Sequence, residues 1–214
     1  MSTLSNPLHY TLPDLTIIDS PKPFDFSIWQ PDDIYIVLGR ANSVEKALIT
    51  DRVLSDSVKV LKRPSGGESV LLSPGMVVFS IKFTISNKER PSDYFKLINT
   101  SLISRLNLLG IGNIAYKGIS DLSINNKKIL GSSMYLKSNT LFYHAVINVN
   151  EDPSLISKYL THPSKEPDYR GGRPHEEFVT SINKEGYMVN IKDIKSTVKE
   201  ARLDIMKEIG DYVK

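Results

Sequence analysis

The chain of 214 residues contains no cysteine. That absence excludes disulfides, thiolate metal sites, iron–sulfur clusters and any reaction that parks an acyl group on a protein thiol. Long hydrophobic runs are missing too, and no stretch approaches the ~18 apolar residues of a membrane-spanning helix. Residues 1–20 hold neither Lys or Arg nor an apolar run of signal-peptide length, so the expected location is the cytoplasm. Net charge is small, 27 Lys+Arg against 24 Asp+Glu, and the basic residues are spread rather than gathered into a block that would grip nucleic acid. The four histidines, His9, His144, His162 and His175, lack metal-ligand spacing. There is no GxxxxGK[ST] loop, and Gly110-Ile111-Gly112 reads as a helix stop and turn.

What is present suits one globular domain, with 40% hydrophobic and 24% charged residues. Residues 1–28, with Pro7, Pro13, Pro21 and Pro23, read as an extended arm carrying a strand or two, packed on a domain over 29–214. Ile34-Tyr35-Ile36-Val37-Leu38 reads as a buried strand ended by Gly39-Arg40. A short helix over 44–54, capped by Asn42 or Ser43, and a strand over 58–62 follow. Leu71-Leu72, Ser73-Pro74-Gly75 and the apolar run from Met76 read as strand, turn and strand, hence a hairpin. Phe95, Ile98, Leu102, Leu106 and Leu109 mark one face of a helix stopped by Gly110. Strands over 114–116, 121–124, 128–136 and 141–149, parted by Asn125-Asn126 and Ser138-Asn139, make an antiparallel meander. A short helix over 153–160, a long polar loop over 161–175 and a final helix complete the chain. That helix carries Ile194, Val198, Ala201, Ile205 and Ile209 behind an Asn190 cap. The expected fold class is α+β, a mixed or antiparallel sheet with flanking helices.

Three segments carry candidate chemistry. Arg63-Pro64-Ser65-Gly66-Gly67-Glu68-Ser69-Val70 lies between two strands; its paired glycines let backbone N–H groups approach an anion or a flat ligand, and Arg63 offers a fork for phosphate. The same residues also suit a Gly-Gly hairpin turn with a solvated arginine. A turn at Asn125-Asn126 would deliver Lys128 onto a strand beside Gly131, which leaves room for a ligand against the sheet. There a compact cation can touch a carboxylate and a phosphate at once, although solvent exposure is the commoner fate of a lysine. His144, in the next strand, is either a pocket wall or a hydrogen-bonded core histidine. The 161–175 loop reads either as a lid bringing Arg170 and Arg173 to phosphate or as a solvated connector.

Together these segments resemble the lipoate–protein ligase family, within the biotin/lipoate ligase group. Lys62-Arg63-Pro64-Ser65-Gly66-Gly67-Glu68-Ser69-Val70 resembles the family's Arg-Arg, Ser-Gly-Gly-Gly-Ala-Val pocket loop. Asp121-Leu122 and Lys128-Ile129-Leu130-Gly131-Ser132-Ser133 resemble its Asp-Leu, Lys-(Val/Ile)-Ser-Gly-(Ser/Asn)-Ala segment. Residues 144–150 resemble its His-Gly-Thr-Leu-Leu-Leu-Asn strand, and Trp29 with Val37-Leu38-Gly39-Arg40 and Asn42 resembles its tryptophan strand and Ile-Gly-Arg-x-Gln-Asn turn. The likeness runs in order over 29–182. It is broken by Glu68 at the third loop glycine, by Leu72-Ser73 in place of His-Asp, and by Pro74-Gly75-Met76 in place of a Gly-Asn turn. The resemblance implies the biotin/lipoate ligase catalytic-domain fold in a short form, without the accessory C-terminal domain of the long ligases.

The resemblance further implies an ATP-dependent, adenylate-forming ligase. Lipoate or octanoate attacks the α-phosphate of ATP to give acyl-AMP, and a lysine of an acceptor domain then displaces AMP. In that scheme Lys128 is catalytic, touching carboxylate and α-phosphate. Trp29, Arg63, Ser65, Gly66, Gly67, Gly131, Ser132 and His144 bind the acyl substrate, while Arg63, Glu68, Ser69, Val70, Leu71 and Lys128 bind the nucleotide. Mg2+ travels with the nucleotide, with Asp121 as the nearby carboxylate. The implied partners are lipoyl domains of 2-oxo acid dehydrogenase complexes or the glycine cleavage H protein, with a separate accessory subunit as a further candidate. Neither nucleic acid nor membrane is expected as a partner. The alternatives are octanoyl or lipoyl transfer without a thiol intermediate, and binding of an acyl-adenylate without turnover. Biotin ligation would need a Gly-Arg-Gly-Arg loop, which is absent.

Overall fold

The computed structural model describes residues 6–85 and 90–210; the two extremes of the arm and domain read from the sequence, 1–5 and 211–214, lie outside them. In chain order, β1 (Leu8–His9), α1 (Leu15–Ile18), β2 (Phe24–Trp29) and β3 (Tyr35–Leu38) lead to α2 (Val44–Ala47), α3 (Thr50–Ser55), β4 (Lys59–Lys62) and β5 (Val70–Leu72). Then come β6 (Met76–Thr84), α4 (Pro91–Leu108), β7 (Ile114–Lys117), β8 (Asp121–Ile124), β9 (Lys127–Lys137) and β10 (Thr140–Asn148). Three helices close the chain: α5 (Ser154–Tyr159), α6 (His175–Phe178) and α7 (Ile191–Gly210). None of the described helices is long and apolar enough to cross a membrane.

The strands form an antiparallel six-stranded sheet, ordered β2-β6-β10-β9-β8-β7, and a mixed four-stranded sheet, ordered β1-β4-β3-β5. The α+β class therefore stands, with the strands shared between two sheets. Alternation along each strand decides which face each side chain joins. Val77, Phe79, Ile81 and Phe83 of β6 and Leu141, Tyr143, Ala145 and Ile147 of β10 face α4 and α7. The three-and-four spacing of Ile98, Leu102 and Leu106, and of Ile194, Val198, Ala201 and Ile205, supplies the matching helical stripes. The opposite face of the large sheet meets the small one, where Trp29 and Val78 pack with Val37, Leu61 and Leu72. The far face of the small sheet, with Ile36, Leu38 and Leu71, is covered by Val44, Leu48, Val53, Ile156 and Tyr159. Because both faces of β6 are buried, its first four residues, Met76 to Phe79, are all apolar rather than alternating, and the polar Ser80 and Lys82 that follow are buried as well.

Local chemistry sets several joints. Asn125 and Asn126 both take positive φ, 50° and 63°, as a two-residue hairpin turn demands, and they join β8 to β9. Asn190 and Asp193 cap α7 reciprocally: Asp193 N–H donates to Asn190 Oδ1 and Asn190 N–H to Asp193 Oδ2, each at 3.0 Å.

Two sequence expectations are corrected. The Ser73-Pro74-Gly75 turn does not make a hairpin: β5 pairs with β3 in the small sheet, whereas β6 pairs with β2 and β10 in the large one. With both edges of β6 occupied, the turn carries the chain from one sheet to the other. The 44–54 helix is two short ones, because Leu48 is extended and bridges Leu160, with Ile49 N–H donating to Tyr159 O at 2.8 Å. Neither Asn42 nor Ser43 caps it by a side chain; Asn42 Oδ1 accepts from Gly39 N–H and Ser69 Oγ instead.

Candidate active site

Strand register fixes two adjacent rows on the inner face of the large sheet. One runs Asp121, Gly131, Val146, Val78, Trp29 across β8, β9, β10, β6 and β2; the other runs Ser133, His144, Ser80, Ser27. A register shift at Leu122/Ser123 pairs Ser123 with Lys128 and Leu122 with Leu130. The extra residue this inserts into β9 puts Lys128 on the same face as Gly131. The lysine folds back over that glycine, where a Cβ would stand 2.7 Å from Lys128 Cε and 2.8 Å from Nζ. The gap at position 131 thus lets the lysine's own ammonium lie against the sheet. Lys128 Nζ lies 2.8 Å from Asp121 Oδ1, and Tyr169 OH donates to Asp121 Oδ2 at 2.9 Å.

The 63–71 loop is built around Arg63. Its Nε donates to Ser65 Oγ (3.0 Å), Nη1 to Val37 O (3.1 Å), and Nη2 to Gly66 O (2.7 Å) and Glu68 O (2.8 Å). The fork that the sequence suggests for phosphate is therefore engaged by the loop's own carbonyls, with Arg63 buried. Close approach explains Gly39: a Cβ there would stand 1.9 Å from Gly67 O. Ser133 Oγ donates to Gly66 O at 2.9 Å and ties the loop to β9. The Glu68 carboxylate accepts from Asn42 Nδ2, Ser164 Oγ and the Lys165 N–H, each at 3.2 Å, and so links this loop to the 161–175 segment.

That segment is held by its own bonds, although many of its residues are exposed. Glu166 meets His162 Nε2 (2.9 Å), Arg170 Nε (3.3 Å) and the Gly172 N–H (2.9 Å), and Arg170 stacks on Phe178. Arg173 donates to the carbonyls of Arg170, Tyr169, Asn126 and Glu177. Arg170 borders the cavity described next, and Arg173 does not.

A polar chain connects the loop to the N-terminal segment. Ser65 Oγ, which accepts from Arg63, is 2.8 Å from His144 Nε2, and His144 Nδ1 is 3.9 Å from Asp14 Oδ2. Asp14 is fully buried and accepts from Tyr10 OH (2.7 Å) and Ser80 Oγ (3.0 Å). Burial pushes the His144 pKa down to about 3, with the Arg63 cation adding to the shift, and burial raises the Asp14 carboxyl above its usual range. His144 is thus neutral at physiological pH.

These elements enclose a cavity of about 850 Å³, a size usual for ligand sites. Asp121, Lys128, Tyr169 and Arg170 form its polar end, and Tyr10, Val37, Leu72, Val78 and Val146 an apolar wall. Of the residues nominated from the sequence, Arg63, Gly67 to Leu71, Gly131, Ser132 and His144 reach the cavity. Trp29, Ser65 and Gly66 do not border it, and Trp29 Nε1 finds no hydrogen-bond partner among the described residues.

The family model of the lipoyl protein ligase A/B catalytic domain matches residues 19–202. The chain belongs to this family. It is 30% identical over 125 residues to the probable lipoate-protein ligase A of Mycoplasma genitalium, covering 58% of this chain and 37% of that protein. It is 29% identical over 167 residues to the lipoate-protein ligase A of Blochmanniella floridana, covering 76% and 45%. The chain spans less than half the length of either relative. Among solved structures, the bipartite lipoate protein ligase of Thermoplasma acidophilum superposes with a TM-score of 0.75 at 18% identity, covering 87% of this chain and 72% of that one. A lipoate-protein ligase A bound with ATP superposes at 0.74 and 17% identity, covering 87% and 74%. At such identities the structural likeness speaks for the fold.

Within this ligase-family domain, the residues that sequence reasoning missed are Tyr10, Asp14 and Tyr169. Tyr10 and Asp14 lie in the segment read as an arm, and no local signal marks them, since Asp14 meets Ser80 from 66 residues away. Two outcomes follow from the geometry. Gly131→Ala should drive the Lys128 ammonium out of hydrogen-bond reach of Asp121 while leaving the fold intact, read directly in a crystal structure of the variant. His144 should also make stability pH-dependent. A free histidine titrates near ~6.5, so between about pH 6.5 and about pH 3 the unfolded state binds the extra proton and stability falls as pH falls. Denaturant midpoints should drop more for wild type than for His144→Gln on going from about pH 7 to about pH 5.

Proposed function

We propose that this chain is an ATP-dependent lipoate–protein ligase domain: it activates lipoate or octanoate to acyl-AMP and passes the acyl group to a lysine of a lipoyl domain. The observation that carries this reading is Lys128, held by Asp121 at the junction of an apolar wall and a polar end of one cavity, in a domain of this family. In the first step a carboxylate oxygen attacks the α-phosphorus and pyrophosphate leaves. In the second an acceptor lysine amine attacks the acyl carbonyl, AMP leaves as the mixed-anhydride bond breaks, and the amine loses a proton. Both steps develop negative charge on oxygen, and a positioned ammonium in a partly desolvated site stabilises it. The Glu68 to Leu71 stretch contacts the adenylate, and the apolar wall takes the acyl chain.

Relatives named lipoate-protein ligase A and a neighbour structure that pairs a ligase with its E2 lipoyl domain support the substrate and partner class. Lipoyl domains of 2-oxo acid dehydrogenase complexes and the glycine cleavage H protein are the proposed acceptors. A separate accessory subunit is a further proposed partner. The donor set does not fit a protein-held Mg2+: both Asp121 oxygens are engaged, by Lys128 and by Tyr169, and no cluster of three metal-ligating side chains occurs among the described residues. Asp121 acts as the counterion of Lys128, and any Mg2+ belongs to the nucleotide. Acyl transfer through an enzyme ester is disfavoured, since the sequence has no cysteine and Ser65, the hydroxyl facing His144, is 1% exposed and bonded to Arg63.

The test is incubation with ATP, Mg2+, lipoate and an apo lipoyl domain, in parallel with preformed lipoyl-AMP, read by intact mass of the acceptor. Modification from ATP and lipoate supports both steps; modification only from the adenylate supports transfer but overturns activation by this chain and assigns that step to a partner; modification in neither arm overturns the whole reading. Lys128→Ala should lower pyrophosphate release or adenylate consumption by roughly 10²–10³-fold, the usual loss for a group that stabilises transition-state charge.

A further inference from the structure

We propose that Tyr10, from the N-terminal segment, gauges the length of the acyl chain by forming a fixed end wall of the cavity, with Asp14 as its positioning residue. This rests on the acyl-adenylate reading above. A carboxyl group that meets Lys128 Nζ stands over Gly131, and the row continues across the sheet to Val146 and Val78. Two strand spacings, about 10 Å, separate Gly131 from Val78. Over this strip the small sheet contributes Val37 and Leu72, so the row leading away from the ammonium is apolar on both sheets, with His144 and Arg63 beside it. It ends at Tyr10, which borders the same cavity and packs with Val78, Trp29, Val37 and Leu72.

The ring is fixed at both ends. Its backbone follows β1, which pairs with β4 through Leu8–Leu61 and His9–Lys62. Its hydroxyl donates to Asp14 Oδ1, while Asp14 Oδ2 accepts from Ser80 on the sheet itself. A tyrosine held by packing alone could rotate aside for a longer chain; one bonded to a fully buried carboxylate breaks that bond to do so. The depth of the cavity is therefore set by a residue outside the motifs that mark the family, and the ligand class is a saturated or dithiolane-ended carboxylic acid of intermediate length.

The experiment measures binding of non-hydrolysable hexanoyl-, octanoyl-, decanoyl- and dodecanoyl-sulfamoyl adenosines by calorimetry, to wild type, Tyr10→Ala, Tyr10→Phe and Tyr10→Trp, each checked for folding by thermal melting. Tyr10→Ala should raise the decanoyl-to-octanoyl affinity ratio by about tenfold, the worth of burying roughly two further methylenes. Tyr10→Phe, which keeps the ring and loses the Asp14 bond, should relax the preference part of the way. Tyr10→Trp should shift it toward hexanoyl, which keeps the proposal testable should the alanine variant fail to fold. An unchanged length preference in the folded variants, with wild type binding the octanoyl compound, overturns the gauge alone. Failure of wild type to bind any of the series overturns the acyl-adenylate reading, and the gauge with it.

Discussion

A carboxylate as deeply buried as Asp121, 5% exposed, needs charged and hydrogen-bonded company. Lys128 supplies the charge and Tyr169 the second bond, so β8, β9 and the 161–175 segment converge on one side chain. The lysine can answer this demand only because the shift in register turns it inward and position 131 lacks a Cβ. One electrostatic requirement thereby fixes the cation, the course of the following strand and the covering segment. It also puts a positive charge where the inner face of the sheet changes from polar to apolar.

The other end of the cavity resolves its charges differently. Asp14 has Tyr10, Ser80 and His144 around it, and burial drives both the carboxyl and the imidazole toward their neutral forms. Arg63, the nearest cation, spends its donors on loop carbonyls and Ser65. A ligand entering this space meets the Lys128 ammonium at one end and, at the other, apolar or neutral groups beside a guanidinium whose N–H groups are already engaged. That gradient suits a molecule with an anionic head and an uncharged tail, which is what an acyl-adenylate presents.

The parts of this arrangement that were legible in the sequence are those encoded locally. Asn125-Asn126 announced the turn before Lys128, and the spacing of Ile98, Leu102 and Leu106 announced α4. The Lys128-to-Gly131 pattern and Gly67 of the paired loop glycines point to residues that line the cavity, with the lysine lying over Gly131. What was not legible depends on partners distant in sequence. The β5–β6 turn looks like a hairpin until β2 and β10 claim both edges of β6. The break between α2 and α3 comes from Leu160, and the roles of Tyr10 and Asp14 come from Ser80 and His144. Glu68, which breaks the family loop pattern, gains its reason only once Ser164 and Lys165 are found beside it.

The most direct measurement is a crystal structure of the chain with lipoyl-AMP. The account predicts Lys128 Nζ bridging Asp121 and the acyl-phosphate oxygens over Gly131, with the lipoyl chain running along Val146 and Val78 toward Tyr10. An adenylate bound outside this cavity, or bound with Lys128 turned away from it, would contradict the account.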